Sequence, residues 1–326
     1  MSMNKGNGME NNVEMRKIFC DTLIALAGKD PRIVVLNSDS RQISGTKPFE
    51  DAFPERIFNV GIAEANMVSV AAGLAASGKK PIVHAFAPFM SRRCFDQIFI
   101  SLAYARLGAV LIGLSPGIMA EINGGTHQGY EDIALMRTIP GMTIVEPLDG
   151  VQLRQMIPDI VALDGPVYLR YFRGMVENIY PEEYVFRLGK ADTLREGDDI
   201  TLISSGIMIE FTLKAAEALD SMGIRARVLN MHTIKPLDKE EVIRAARETG
   251  AIVTVENHSV IGGLGSAVAE TLCEEFPAPM RRLGIQDRFG EVGDMSYLRR
   301  CMGIDTGDIV DAALKLVRAK NKGGLS

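Results

Sequence analysis

Cysteine is scarce and scattered in this chain. Cys20, Cys94, Cys273 and Cys301 have no paired spacing, and no histidine stands at metal-ligand distance from them, which argues against both a disulfide framework and a zinc site. Positive charge is also in short supply. Lys and Arg number 36 against 41 Asp and Glu, and the net charge of −5 comes with no basic block, so a nucleic-acid surface is not expected. No apolar run approaches membrane-spanning length, and the opening MSMNKGNGMENN lacks the apolar core of a signal peptide. A reduced, cytoplasmic protein without membrane contact is the expectation. Neither a solenoid-length repeat nor a low-complexity tract is present.

What the chain does have is length and apolar content, 326 residues at 47% hydrophobic, enough for two α/β domains that each bury a core. Apolar strands at about 32–37, 57–60, 81–86, 109–114, 142–146 and 167–172 alternate with helical stretches at 13–27, 63–77, 91–106, 131–137 and 150–163. That rhythm predicts βα units and a mostly parallel sheet. The polar, proline-containing stretch between Gly174 and Lys190 reads as a linker. A second α/β unit follows, with strands near 200–204, 227–230, 251–256 and 282–286 and helices near 210–222, 238–249, 265–276 and 308–319. The expected division is therefore 13–174, a linker at 175–190, and 191–320.

The segment NVGIAEANMV at 59–68 places Glu64 where a buried strand turns into an amphipathic helix. In open α/β sheets that edge binds ligands, although a first-turn glutamate can also simply favour the helix dipole. Two further strand ends lead to the same edge. One carries AFAPF at 85–89 followed by SRRCFDQIF, and the other carries INGGTHQG at 122–129, so Glu64, Phe86, Phe89, Asn123 and His127 converge on one crevice. Phe95, Ile98 and Phe99 recur at helical spacing and read as core.

The order GIAE, AFAPF, GGTHQG and PVYLRYFRG, within about 13–320, resembles the pyrimidine-binding half of transketolase-like thiamine diphosphate enzymes. VENHSVIGGLGSAVAE at 255–270 is similar to the transketolase carboxyl-terminal domain, with Gly262, Gly263 and Gly265 in a strand-to-helix loop. A phosphate cradle there is less favoured than a structural turn, because no dinucleotide fingerprint accompanies it.

The resemblance implies roles for particular residues. Glu64 matches the glutamate that hydrogen-bonds the cofactor's aminopyrimidine N1′. Phe89 matches the phenylalanine that stacks on the pyrimidine, with Phe86 supporting it. His127 matches a histidine that contacts donor and intermediate oxygens; His84 is a weaker candidate, and His232 and His258 are read as structural. Arg16 and Arg173 match arginines that grip a substrate phosphate, for which the planar guanidinium fork is suited. Arg92 is a candidate further cation, Asp39 matches the acid after the first long strand, and Ser44 is a candidate phosphate-contacting hydroxyl. Asn123 departs from the family, whose loop has an aspartate four residues before the histidine. A neutral amide there implies a shifted substrate preference.

One motif of the resembling family is missing. Its other half binds diphosphate through Mg2+ with Gly-Asp-Gly and a later asparagine, whereas this chain has no Gly-Asp-Gly triplet and offers Gly197-Asp198-Asp199 in its place. The resemblance thus implies a split transketolase: a carboxyl-terminal subunit that shares thiamine diphosphate and Mg2+ with an N-terminal diphosphate-binding partner, expected as an α2β2 assembly acting on sugar phosphates. The alternatives are a subunit similar to 1-deoxyxylulose-5-phosphate synthase, one similar to the β subunit of a 2-oxo-acid dehydrogenase, and a noncatalytic partner.

Overall fold

Continuous apolar runs dictate strands buried on both faces, and the computed structural model, which describes residues 12–321, builds its central sheet from such runs. The seven strands lie in the order Thr233–Lys235, Thr143–Val145, Val167–Tyr171, Val110–Leu114, Lys80–Phe86, Ile33–Asn37, Ile57–Asn59. All neighbours are parallel except Thr233–Lys235, an antiparallel edge strand contributed by the second half of the chain. Helices Met15–Ala27 and Gly150–Ala162 cover one face, sharing a core with Phe19, Leu23, Ile112, Met156 and Leu169. Helices Glu64–Ala76 and Asp132–Arg137 cover the other, over Met67, Val83, Leu111 and Ile144.

The chain runs from Ile33–Asn37 outward to Ile57–Asn59, then returns to the opposite side of Ile33–Asn37 to form Lys80–Phe86. The winding reverses there, and the connections leaving Asn37 and Phe86 run in opposite directions along the sheet. This reversal opens a crevice at the carboxyl ends of the strands.

The second unit has a five-stranded sheet in the order Met280–Ile285, Ile252–Ser259, Ile200–Ser204, Ala226–Asn230, Asp192–Arg195, parallel except at the last edge. Its junction with the first unit is charged and fully buried. Arg170 donates to Asp132 at 2.9 Å, to Glu146 at 2.6 Å and to the Asn257 carbonyl at 3.0 Å, and Ser205 donates to Glu146 at 2.5 Å. A buried charge is tolerated only when paired in this way. Asn257 adds an amide clasp on the loop at Gly117, accepting from the Ile118 N–H at 2.9 Å and donating to the Pro116 carbonyl at 2.9 Å.

Several elements differ from the sequence reading. The stretch expected as one helix over 91–106 is broken: Ala87–Ser91 and Phe95–Gln97 are short α-turns, Ile98–Tyr104 is π-helical, and residues 92–94 form a turn. Cys94 sits at φ −111°, ψ 6°, outside helical geometry, and its thiol donates to the Phe89 carbonyl at 3.2 Å. Met175–Glu177, inside the stretch read as a linker, pairs antiparallel with Asn12–Glu14. Helix Met295–Met302, started by Asp294 accepting from the Tyr297 N–H at 2.7 Å, has no counterpart among the expected elements.

Candidate active site

Glu64 is the first residue of its helix, and its side chain is only 4% exposed. The apolar residues that follow it, Met67, Val68 and Ala71, pack into the core and draw the helix start inward with them. Glu64 accepts a charge-assisted hydrogen bond from Arg93 at 2.8 Å. The Arg93 guanidinium in turn lies over the Phe89 ring, its carbon 4.1 Å from the centroid.

Three rings line the rest of the crevice. Phe86 and Phe89 meet edge-on at 5.9 Å, and the His127 imidazole lies 5.3 Å from Phe86 and 5.1 Å from Phe89, also edge-on. His127 is carried by the loop after Gly124, held by its N–H on the Gly124 carbonyl at 3.0 Å, and its Nδ1 lies 3.0 Å from the Thr126 hydroxyl. Gly124 has φ +71° and packs against Val292, and Gly125 packs against the Gly290 carbonyl, where side chains would collide. The second unit therefore buttresses the histidine loop, with Gln128 donating to the Glu291 carbonyl at 2.8 Å.

Arg173 extends the row beyond Phe86, its guanidinium carbon 5.7 Å from that ring. Burial, with Arg16 close by, pulls the Arg173 guanidinium below its ordinary pKa. Two cations held near one another suit a ligand anion. Arg16 pairs with Glu14 and donates to the carbonyls of Gln42 and Ile43 at 3.2 and 3.4 Å.

The remaining candidates are placed differently. Ser44 is fully buried, with its hydroxyl 3.0 Å from Thr46 and donating to Asn37 at 3.3 Å and to the Arg41 carbonyl at 3.2 Å, so it does not face the crevice. Asp39 is exposed at φ +57°, tied to Asn59 through its own N–H at 2.9 Å. It borders a cleft of about 480 Å³ lined also by Arg41, Gln42 and Lys47. Arg92 is ion-paired with Glu131 at 2.9 Å. Asn123 is exposed ahead of the histidine turn. Neither nearby glutamate stands in for the family's aspartate: Glu131 is held by Arg92, and Glu121 accepts from the Met295 N–H at 3.1 Å. His84 is fully buried against Phe19, and neither of its ring nitrogens has a hydrogen-bond partner. His232 and His258 are buried in the second unit's interior and at the junction.

The carboxyl end of Ile252–Ser259 disposes of the glycine loop. Glu256 accepts from the N–H groups of Leu264 and Gly265 at 2.7 and 3.0 Å, so a protein carboxylate already occupies that helix start. Arg93 is the site residue that sequence reasoning missed. Its neighbour Arg92 carries the same local pattern, and a contact with Glu64 across 29 residues leaves no local signature.

An acidic side chain buried beside the face of a phenylalanine is the donor set that an aminopyrimidine needs, one group for its ring nitrogen and one for its π face. The residues present thus fit the pyrimidine end of thiamine diphosphate. Among the described residues no cluster of His, Cys, Asp or Glu could hold a metal ion, and no helix is long and apolar enough to cross a membrane.

An open parallel sheet with this crevice at its winding reversal, joined to a second α/β layer, defines the pyrimidine-side half of a thiamine diphosphate enzyme. Comparison with known proteins agrees. The transketolase pyrimidine-binding domain matches residues 11–178, and the transketolase C-terminal domain matches 189–309. The chain is 52% identical to a 6-deoxy-6-sulfo-D-fructose transketolase subunit of Clostridium sp. (strain MSTE9), over 94% of this chain and 95% of that one. It is 40% identical to one of the subunits of an apulose-4-phosphate transketolase of Phocaeicola vulgatus, over 95% and 100%. A solved split-gene transketolase, described as an inactive β4 tetramer, superposes with a TM-score of 0.86 at 40% identity, covering 93% of this chain and 98% of the other. The chain belongs to the transketolase family, as a subunit of the split kind.

Proposed function

We propose that this chain, with residues 13–174 as pyrimidine-binding domain and 191–320 as carboxyl-terminal domain, completes an active site with a separate diphosphate-binding subunit. The pair transfers a two-carbon ketol unit from a ketose to an aldose phosphate. Mg2+ and its ligands belong to the partner, in an α2β2 assembly. The observation that carries this reading is the buried Glu64 carboxyl bridged to the Phe89 face by Arg93, with His127 at 5.1 Å from that ring. A noncatalytic role would not require these three groups to converge.

Thiamine diphosphate, when bound, supplies the carbanion chemistry that carries the two-carbon unit. Glu64 holds a proton at N1′ of the aminopyrimidine, Phe89 and Phe86 support its face, and burial of the carboxyl keeps water from competing for that proton. His127 offers a ring nitrogen to substrate oxygens. Arg173 and Arg16 bind the terminal anion, and Asn123 faces the substrate's hydroxyl side with a neutral amide. Arg92 and Asp39 serve the rim of the site.

The same two cations would accept a sulfonate as well as a phosphate, and the relative at 52% identity is named for a sulfo-sugar. Exposed Ile62 lies two residues before Glu64, exposed Ile122 leads into the histidine loop, and exposed Val292 packs against Gly124 of that loop; together they offer apolar ground for the partner. A donor and acceptor screen with the reconstituted pair tests the reading, using fructose 6-phosphate and 6-deoxy-6-sulfofructose as donors. Two-carbon transfer from an anionic ketose is expected, and no transfer from any ketose in the presence of a competent partner would contradict it.

A further inference from the structure

Glu64 and Phe89 are already engaged, and by one side chain. The Arg93 guanidinium is flat, delocalised and rich in N–H; it donates to Glu64 at 2.8 Å while its carbon sits 4.1 Å above the Phe89 ring. An aminopyrimidine asks the same two groups for the same two contacts, a hydrogen bond to the carboxyl and stacking on the ring. Both cannot be satisfied at once. We propose that Arg93 is a surrogate for the aminopyrimidine, occupying its slot and leaving it when thiamine diphosphate seats. This rests on the reading of Glu64 and Phe89 given above.

The local structure makes the exchange feasible. Arg93 lies in the turn at 92–94 that interrupts the helical stretch, and its side chain is 49% exposed while that of Glu64 is 4% exposed. The carboxylate is fixed by its helix, but the guanidinium reaches it from the solvent side and can rotate back to water without moving the backbone. Neighbouring Arg92 is engaged elsewhere, on Glu131, so of the paired arginines Arg93 alone engages Glu64. The consequence is twofold. In the free subunit Arg93 neutralises a buried carboxylate that would otherwise be unpaired, which stabilises the fold. In the assembled pair it competes with the cofactor and sets a lower affinity than the slot alone would give.

Calorimetric titration of thiamine diphosphate with Mg2+ into the full chain assembled with its diphosphate-binding subunit tests this, with Arg93→Met and Arg93→Lys. Arg93→Met should bind the cofactor about tenfold tighter, since a charge-assisted bond no longer has to be broken first. Arg93→Lys, which keeps the charge but not the flat face, should fall between. The isolated Arg93→Met chain should melt at a lower temperature than wild type. An affinity that is unchanged or weakened in Arg93→Met overturns the surrogate role. Adding Glu64→Gln to the Arg93→Met background should weaken binding, and no change there would overturn the Glu64 reading itself, so the two failures are separable.

Discussion

Glu64 is buried at the start of a helix with its carboxyl paired to Arg93, and the chemistry proposed for it depends on a proton that only a carboxyl can hold. Glutamine fits the same space and keeps a hydrogen bond, but cannot exchange that proton. Glu64→Gln in the reconstituted pair should therefore lower kcat by about a hundredfold to ten-thousandfold with the circular dichroism spectrum unchanged. Near-normal turnover would reduce Glu64 to a helix-start acid. Arg16 and Arg173 make a different claim, because their effect should follow the charge of the substrate. Arg16→Ala and Arg173→Ala should each cost anionic ketoses about 1.5–3 kcal/mol in kcat/KM, and unphosphorylated ketoses much less. Equal losses on both would assign the arginines to structure, a role for which Arg16 already shows contacts with the Gln42 and Ile43 carbonyls.

At the level of elements, the long strands and helices were legible because apolar period and length decide them. The strand expected at 200–204 is Ile200–Ser204, and the helix expected at 131–137 is Asp132–Arg137. Three-residue strands such as Met175–Glu177 and Thr233–Lys235 were not legible, since pairing partners far away in sequence create them. The broken helix over 91–106 escaped for a related reason: its apolar period continues through the turn that presents Arg93. Of the crevice residues, motif order located Glu64, Phe86, Phe89 and His127. Ser44 fell inside the fold because Asn37 and Thr46 satisfy its hydroxyl.

Strand Lys80–Phe86 also carries a pH-sensitive element. Burial pushes His84 down to about 3 from its ordinary 6.5, and no hydrogen bond offsets this. The folded chain refuses a proton that the unfolded chain accepts, so the contribution of His84 to stability is complete above pH 6.5 and is lost as pH falls toward 3. Relative to His84→Leu, wild type should lose about 1.4 kcal/mol of unfolding free energy per pH unit below 6.5, measured by urea denaturation. Parallel curves for the two proteins would show that the imidazole takes up its proton alike in the folded and unfolded chain.

On the scale of the whole molecule, the two α/β layers are joined by buried polar contacts, and the second layer also braces the histidine loop through Gln128 and the Glu291 carbonyl. Gly117 sits at φ +59°, and a Cβ there would lie 2.1 Å from the Asn257 Oδ1. Gly117→Ala should destabilise the chain by about 2–4 kcal/mol through backbone strain and loss of the Asn257 clasp, read as a lowered urea midpoint. An unchanged midpoint would mean that the junction accommodates the methyl group. Assembly is the larger claim. This chain carries the residues proposed for the pyrimidine end of thiamine diphosphate but has no Gly-Asp-Gly motif for its diphosphate. Titrating thiamine diphosphate with Mg2+ into the isolated chain and into the reconstituted pair tests this most directly. Weak binding to the chain alone and tight, Mg2+-dependent binding to the pair are predicted, and tight Mg2+-dependent binding to the isolated chain would contradict a site divided between two subunits.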